Sequence, residues 1–161
     1  MTEKKYFQDY MPGNVCFGCG KEHPEGLQIK SYWDGSAAIC HWQPEEKYRG
    51  WPKLLNGGVI ATIIDCHCMG TAMAYAYQQE DRDIDSTPFY RYATSGLKIK
   101  YLKPTSTKDL ITLSAQIIEH NQRKIIMTCS LKSRDIITAQ AEVIAIKVYD
   151  SSTNNETNQF E

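Results

Sequence analysis

The sequence has no surplus of either charge: 18 basic residues stand against 19 acidic ones, a net charge of −1 at pH 7. Without a basic excess the chain is a poor match for nucleic acid. Without an acidic block no acidic tail is expected, so small ligands and protein partners remain. An apolar run is missing from its start. Met1-Thr2-Glu3-Lys4-Lys5-Tyr6-Phe7 is polar and aromatic, so no secretory leader is expected there, and a cytoplasmic protein is. In that compartment Cys16, Cys19, Cys40, Cys66, Cys68 and Cys129 are expected to be reduced thiols. Internal repeats are absent too. So is a second Cys-x-x-Cys or a histidine pair to complete a zinc site begun by Cys16 and Cys19, for which His23, or Cys40 with His41, are the other available donors. Packing thiols in a turn, and no metal, are therefore expected.

What is present suits one domain. A chain of 161 residues, 42% of them hydrophobic, is long enough to build a proper core. Residues 1–13 read as an N-terminal arm or short helix, 14–149 as a single folded domain and 150–161 as a disordered polar tail. Leu27-Gln28-Ile29-Lys30 alternates like a strand, and Asp34-Gly35 closes a hairpin into residues 36–42. Residues 43–53 read as a loop. From Thr94 onward apolar residues recur at every second position: Leu97, Ile99 and Tyr101, then Ile111, Leu113, Ala115 and Ile117, then Ile125, Met127, Cys129 and Leu131. A last strand runs from about 136 to 149. Short polar turns separate these strands, which is the pattern of an antiparallel meander.

Between the two sets of strands lies the charge-poor run from Leu54 to Tyr77. Asp65, His67 and the small residues Gly70, Thr71, Ala72, Ala74 and Ala76 argue for a buried helix, not a membrane span. Asn56 is a good N-cap for a helix over residues 57–79. Gly57 and Gly58 leave its first N–H groups open to a ligand, where the helix dipole adds about half a positive charge. Asp65, a lone acid in an apolar run, is the candidate base or nucleophile, and burial would raise its pKa toward neutrality. His67 is expected in the core. Neighbouring helical residues diverge by about 100°, so Cys66-His67-Cys68 is not expected to hold one ion. Asn56 and Asp65 lie nine residues apart, on opposite faces and ~13 Å apart along the axis. A single helix cannot bring both to one carbonyl, whereas two antiparallel copies about a twofold axis can.

These residues resemble the hotdog-fold acyl-CoA thioesterases of the PaaI-like family. The resemblance is carried by Asn56-Gly57-Gly58 opening a long helix, Asp65 seven residues after the second glycine, and Tyr101-Leu102-Lys103-Pro104 ending the next strand. Cys16-Phe17-Gly18-Cys19-Gly20, Pro24-Glu25-Gly26-Leu27 and Gly50-Trp51-Pro52 look like a subgroup of that family. The resemblance implies an α+β hotdog fold, a long central helix wrapped by a curved antiparallel sheet of about six strands. It also implies a homodimer or homotetramer with sites shared between subunits, and hydrolysis of acyl-CoA without a cofactor. Asn56 stands where the family places histidine, and Gly50 where relatives place asparagine. The catalytic residues it implies are Asp65, Gly57 and Asn56, with Gly58, Thr94, Ser95 and Trp51 binding substrate. Lys98, Lys100, Lys103, Arg91, Arg123 and Lys124 are candidates for the phosphates of coenzyme A. The alternative is a hotdog protein that binds acyl-CoA without cleaving it. A hotdog hydratase or dehydratase would need a histidine beside a carboxylate, for which His41 is the sole candidate.

Overall fold

The alternation seen in the sequence becomes the inner and outer faces of a sheet. A computed structural model describes residues 3–153. Its elements are β1 (Ser31–Asp34), β2 (Ala37–Trp42), β3 (Arg49–Trp51), β4 (Leu54–Leu55), α1 (Gly57–Gln79), β5 (Tyr90–Tyr101), β6 (Ile111–His120), β7 (Lys124–Ser133) and β8 (Ile136–Asp150), with single 3₁₀ turns at Phe7–Tyr10 and Glu46–Tyr48. Six strands form one antiparallel sheet in the order β1-β2-β6-β7-β8-β5, and β3 with β4 make a separate two-stranded ribbon.

The helix lies across the inner face of this sheet and touches β1, β5, β6, β7 and β8. The architecture is the hotdog arrangement that the resemblance implied, one long helix against a six-stranded antiparallel sheet. Ile125, Met127, Cys129 and Leu131 of β7 are buried against the helix side while Thr128 and Lys132 are exposed. From the helix come Ile60, Ile63, Ile64, Cys68, Ala72, Met73 and Tyr77. By length and composition α1 could cross a membrane, but two-thirds of its most apolar window is buried within the fold. His67 is fully buried, its Nδ1 2.8 Å from Ser31 Oγ and its Nε2 3.1 Å from the Ala38 carbonyl. Burial lowers its pKa to about 4, so it is a neutral core residue. Met127 is completely buried between helix and sheet. Met127→Ala is expected to cost about 2–5 kcal/mol, read as a lower urea midpoint at unchanged slope.

Three expectations need correction. Leu27–Lys30 is not a strand; β1 begins at Ser31. Gln28 takes a left-handed backbone (φ 56°), and its side chain bonds the carbonyls of Gly20 and His23 at 2.8 and 2.6 Å. The segment is zipped to the cysteine loop instead, by Leu27 N–H to Phe17 O (2.8 Å) and Ile29 N–H to Gly18 O (3.1 Å). Residues 43–53 are not plain loop, since they hold the second 3₁₀ turn and β3. The polar tail is ordered through Thr153: Ser151 exchanges bonds with Phe89 through its N–H (3.0 Å) and its hydroxyl (2.8 Å). The rest of the expected tail, 154–161, lies outside the described residues. The N-terminal arm is docked on the helix, with Phe7 and Gln8 both buried. Gln8 accepts from Ser31 N–H at 2.7 Å and donates to Ser31 Oγ at 3.0 Å. Gly70 leaves room for it, because a Cβ there would collide with the Gln8 amide.

Candidate functional site

The start of α1 is held from three sides. Leu55 N–H bonds Thr105 O at 2.8 Å and Asn56 N–H bonds Tyr48 O at 3.0 Å. From the end of β5, the Tyr101 hydroxyl donates to Gly57 O at 2.7 Å. Asn56 caps the helix as its sequence predicts, and it does so with one oxygen: Oδ1 accepts from Gly58 N–H (2.7 Å) and Val59 N–H (3.2 Å). Ile60 N–H is taken by the Asn56 carbonyl. In this first turn the N–H of Gly57 is the one left without an acceptor among the described residues. The pair of glycines thus narrows to one free donor. Gly58 is exposed, but its N–H is spent on the cap.

Asp65 projects from the same helix toward β5 and is half-buried. The Thr94 hydroxyl donates a hydrogen bond to Asp65 Oδ1. Burial raises the Asp65 pKa, the Thr94 bond pulls it back, and the charge of Cys16 pushes it up again. Next to Thr94 the strand carries a bulge: Thr94 pairs with Ala145 and Gly96 with Ile144, leaving Ser95 as the extra, exposed residue. A bulge re-aims side chains beside it, and here it sits at the carboxylate. Asp65 lines a cavity of about 410 Å³ together with Met11, Cys16, Met69, Met73 and Tyr92. Its lining is mostly apolar side chain, with one acid.

Gly57 and Asp65 are eight residues apart, ~12 Å along the helix axis, so one chain does not bring its free donor to its own acid. The outer edge of β5 is unpaired among the described residues, along a strand running from Tyr90 to Tyr101. Leu97, Tyr101 and Leu102 are exposed at or near this edge, and Trp51 on β3 is 75% exposed.

The basic candidates are scattered. Lys98 and Lys100 stand on the outer face of the sheet, in a polar groove with Ser114, Gln116, Thr128 and Glu142. Lys98 lies 3.9 Å from Glu142. Arg123 lies in the β6–β7 turn and Lys124 opens β7. Arg91 borders the Asp65 cavity and donates to Pro12 O at 2.9 Å. The zinc partners weighed from the sequence are not brought to Cys16 and Cys19. His41 sits between the Tyr32 hydroxyl and the Thr112 hydroxyl, Cys40 is buried in β2, and His23 is outside the cluster. Cys66, which the sequence offered only beside His67 and Cys68, joins them instead. The thiols of Cys19 and Cys66 hold Cys16 well below the usual thiol range, while both are themselves pushed up. Cys68 faces Cys129 in the core, so adjacent helical cysteines diverge as expected.

No family model matches the chain. A solved thioesterase superfamily protein from Shewanella loihica is 30% identical, covering 80% of this chain and 96% of that one with a TM-score of 0.63. The chain belongs to the thioesterase superfamily. E. coli PaaI, from the phenylacetic acid degradation operon, shares the fold at 13% identity, with a TM-score of 0.62 over 77% of this chain and 82% of that one. Among curated relatives, the rat acyl-coenzyme A thioesterase THEM4 is 27% identical over 108 residues, 67% of this chain and 41% of that protein. This superfamily member therefore spans about two-fifths of the length of the curated relative it matches. Its helix start and its acid occupy the two ends of one helical stretch, and Tyr101 and Thr94 of β5 reach both.

Proposed function

We propose that the protein hydrolyses an acyl-CoA thioester to a carboxylic acid and free coenzyme A. We further propose that it works as a dimer, each site joining Gly57 of one copy to Asp65 of the other. The observation that carries this reading is the split on α1: a free N–H donor at its start and a hydroxyl-oriented carboxylate ~12 Å further along, beside a long unpaired edge. An exposed strand edge is a template for a second chain, and exposed Leu97, Tyr101 and Leu102 give such a pairing apolar surface to bury. Antiparallel pairing about a twofold axis puts each helix start beside the partner's acid. The rat relative's name supports acyl-CoA as the substrate class.

In this reading the Asp65 carboxylate takes a proton from water as the water oxygen attacks the thioester carbon. Gly57 N–H, backed by the helix dipole, holds the oxygen that becomes negative. The tetrahedral intermediate collapses with loss of the thiolate, which takes up the proton from Asp65. No cofactor enters. Asn56 acts through its cap, fixing the first turn so that Gly57 N–H points outward, and Thr94 aims the carboxylate. Ser95 and Trp51, both exposed, are assigned to substrate. The six free thiols fit a reducing compartment, and we place the protein in the cytoplasm.

Thr94→Val removes one hydrogen bond to the acid. It is expected to lower kcat about tenfold, the equivalent of one hydrogen bond of about 1.4 kcal/mol, with KM unchanged. The deciding experiment is a panel of short, medium and aryl acyl-CoAs assayed for thiol release. Turnover of at least one class is expected; normal binding without hydrolysis across the panel contradicts the reading. One feature favours that second outcome. Asn56 holds the cap but cannot act as acid or base near neutral pH, so a dimer that only binds acyl-CoA is the competing function.

A further inference from the structure

Cys16 and Cys66 are fifty residues apart in the chain and their sulfurs are 3.8 Å apart. With Cys19 they form a group whose three sulfurs all lie within 4.8 Å of one another. A zinc–sulfur bond is about 2.3 Å, so two sulfurs of a tetrahedral zinc site are separated by about 3.8 Å. A disulfide needs about 2.05 Å, and all three residues are free thiols.

The loop around them is shaped for this approach. Gly18 N–H donates to Cys16 Sγ at 3.3 Å, and Asn14 Nδ2 to Cys19 Sγ at 3.5 Å. Such donors support thiolate ligands. A side chain at Gly18 would collide with Cys66 Sγ, and one at Gly20 would meet the backbone of Asn14 and Cys16 at 2.6 Å. Cys16, Cys19 and Cys66 also line the cavity that holds Asp65.

We propose that Cys16, Cys19 and Cys66 form a binding site for one thiophilic divalent cation of the zinc class, with its fourth coordination position open to the Asp65 cavity. The three ligands come from the N-terminal loop and the middle of α1, so the ion ties that loop to the helix one residue past Asp65. Three protein thiolates and one open position distinguish the site from a closed structural one. The ion braces the turn of helix that carries the acid and forms part of the cavity wall. This assignment does not depend on hydrolysis.

The test uses the full chain, reduced with a phosphine, stripped of metal and titrated with Co²⁺. One Co²⁺ per chain is expected, with the visible bands of a tetrahedral ion and the near-ultraviolet charge-transfer intensity of three thiolates, displaced by one Zn²⁺. Cys16→Ser and Cys19→Ser are each expected to weaken binding at least about a hundredfold, beyond the usual loss of an outer partner. Cys40→Ala, outside the cluster, keeps it. Zn²⁺ is expected to raise the melting temperature of the wild type and not of Cys16→Ser. Because Cys16 is only half-buried, its serine variant keeps the fold. Were it to unfold, the thiolate count in the wild-type spectrum still decides the question. The proposal is overturned by no thiolate–cobalt band in the wild type, by an unchanged band in the Cys16→Ser, Cys19→Ser double variant, or by a native mass two hydrogen atoms lower that peptide mapping assigns to a Cys16–Cys66 disulfide.

Discussion

Asp65→Asn is expected to reduce kcat by about 10²–10⁴-fold, the usual worth of a positioned acid–base group, while acyl-CoA binds with nearly unchanged affinity. The substitution keeps size and shape, and the oxygen that accepts from Thr94 Oγ1 is retained. It removes only the ability to take a proton from water. Loss in kcat with KM unchanged is the signature of an interaction used in the transition state and not in the ground state. The half-buried site already disfavours the charged form, since burial raises the Asp65 pKa, so a neutral amide fits without loss of stability. Steady-state kinetics with thermal melts of both proteins checks this. A variant that turns over like the wild type makes Asp65 a structural acid and favours the binding-only function.

Gly57→Pro is expected to cost about 10²–10³-fold in kcat with the helix intact. Gly57 is the first residue of α1, a position proline suits because its fixed φ matches the helix and its missing N–H has no helical partner. Asn56 before it has φ −64° and ψ 135°, the extended conformation that a residue preceding proline prefers. A Cβ at 57 would meet the Tyr101 ring at 3.6 Å, an ordinary contact. The substitution therefore removes the free N–H donor at a position that suits proline. Gly57→Ala adds the same carbon and keeps the N–H, and is expected to stay near wild-type activity. Circular dichroism confirms the helix. Full activity in the proline variant would place the oxyanion donor elsewhere.

Both variants bear on features that differ in how readable they were. The span 57–79 of α1 was legible because a capping asparagine opens it, its run is charge-poor and a charged loop closes it. The four long strands were legible from their period of two. Leu27 and Ile29 show the limit of that signal: their alternation is real, but Gln28 turns left-handed to bond Gly20 and His23, a contact set by tertiary structure. Phe7 and Gln8 looked like arm residues because what buries them, Trp33, Ser31 and the helix backbone, lies further along the chain. In the site, Asp65 stood out as the lone acid of an apolar run, the likeness to known thioesterases added Thr94, and spacing alone ruled out a site within one helix. The choice between Gly57 and Gly58 was hidden, because it turns on which N–H groups one asparagine oxygen collects. Cys66 was hidden for the opposite reason. Its neighbours Cys68 and His67 suggested a local motif, whereas its partners are brought to it by the loop at Cys16.

Subunit complementation tests most directly whether each site is completed by a second copy. Asp65→Asn and Gly57→Pro chains, each inactive alone, are mixed under conditions that exchange subunits, or are co-expressed with different tags. A mixed dimer has one site with an intact Gly57 from one chain and an intact Asp65 from the other, and one site with neither. Random exchange should restore about a quarter of wild-type activity, since half of the dimers are mixed and each has one working site of two. Activity no greater than the sum of the two separate variants, in a sample shown to contain mixed dimers, would contradict the shared site.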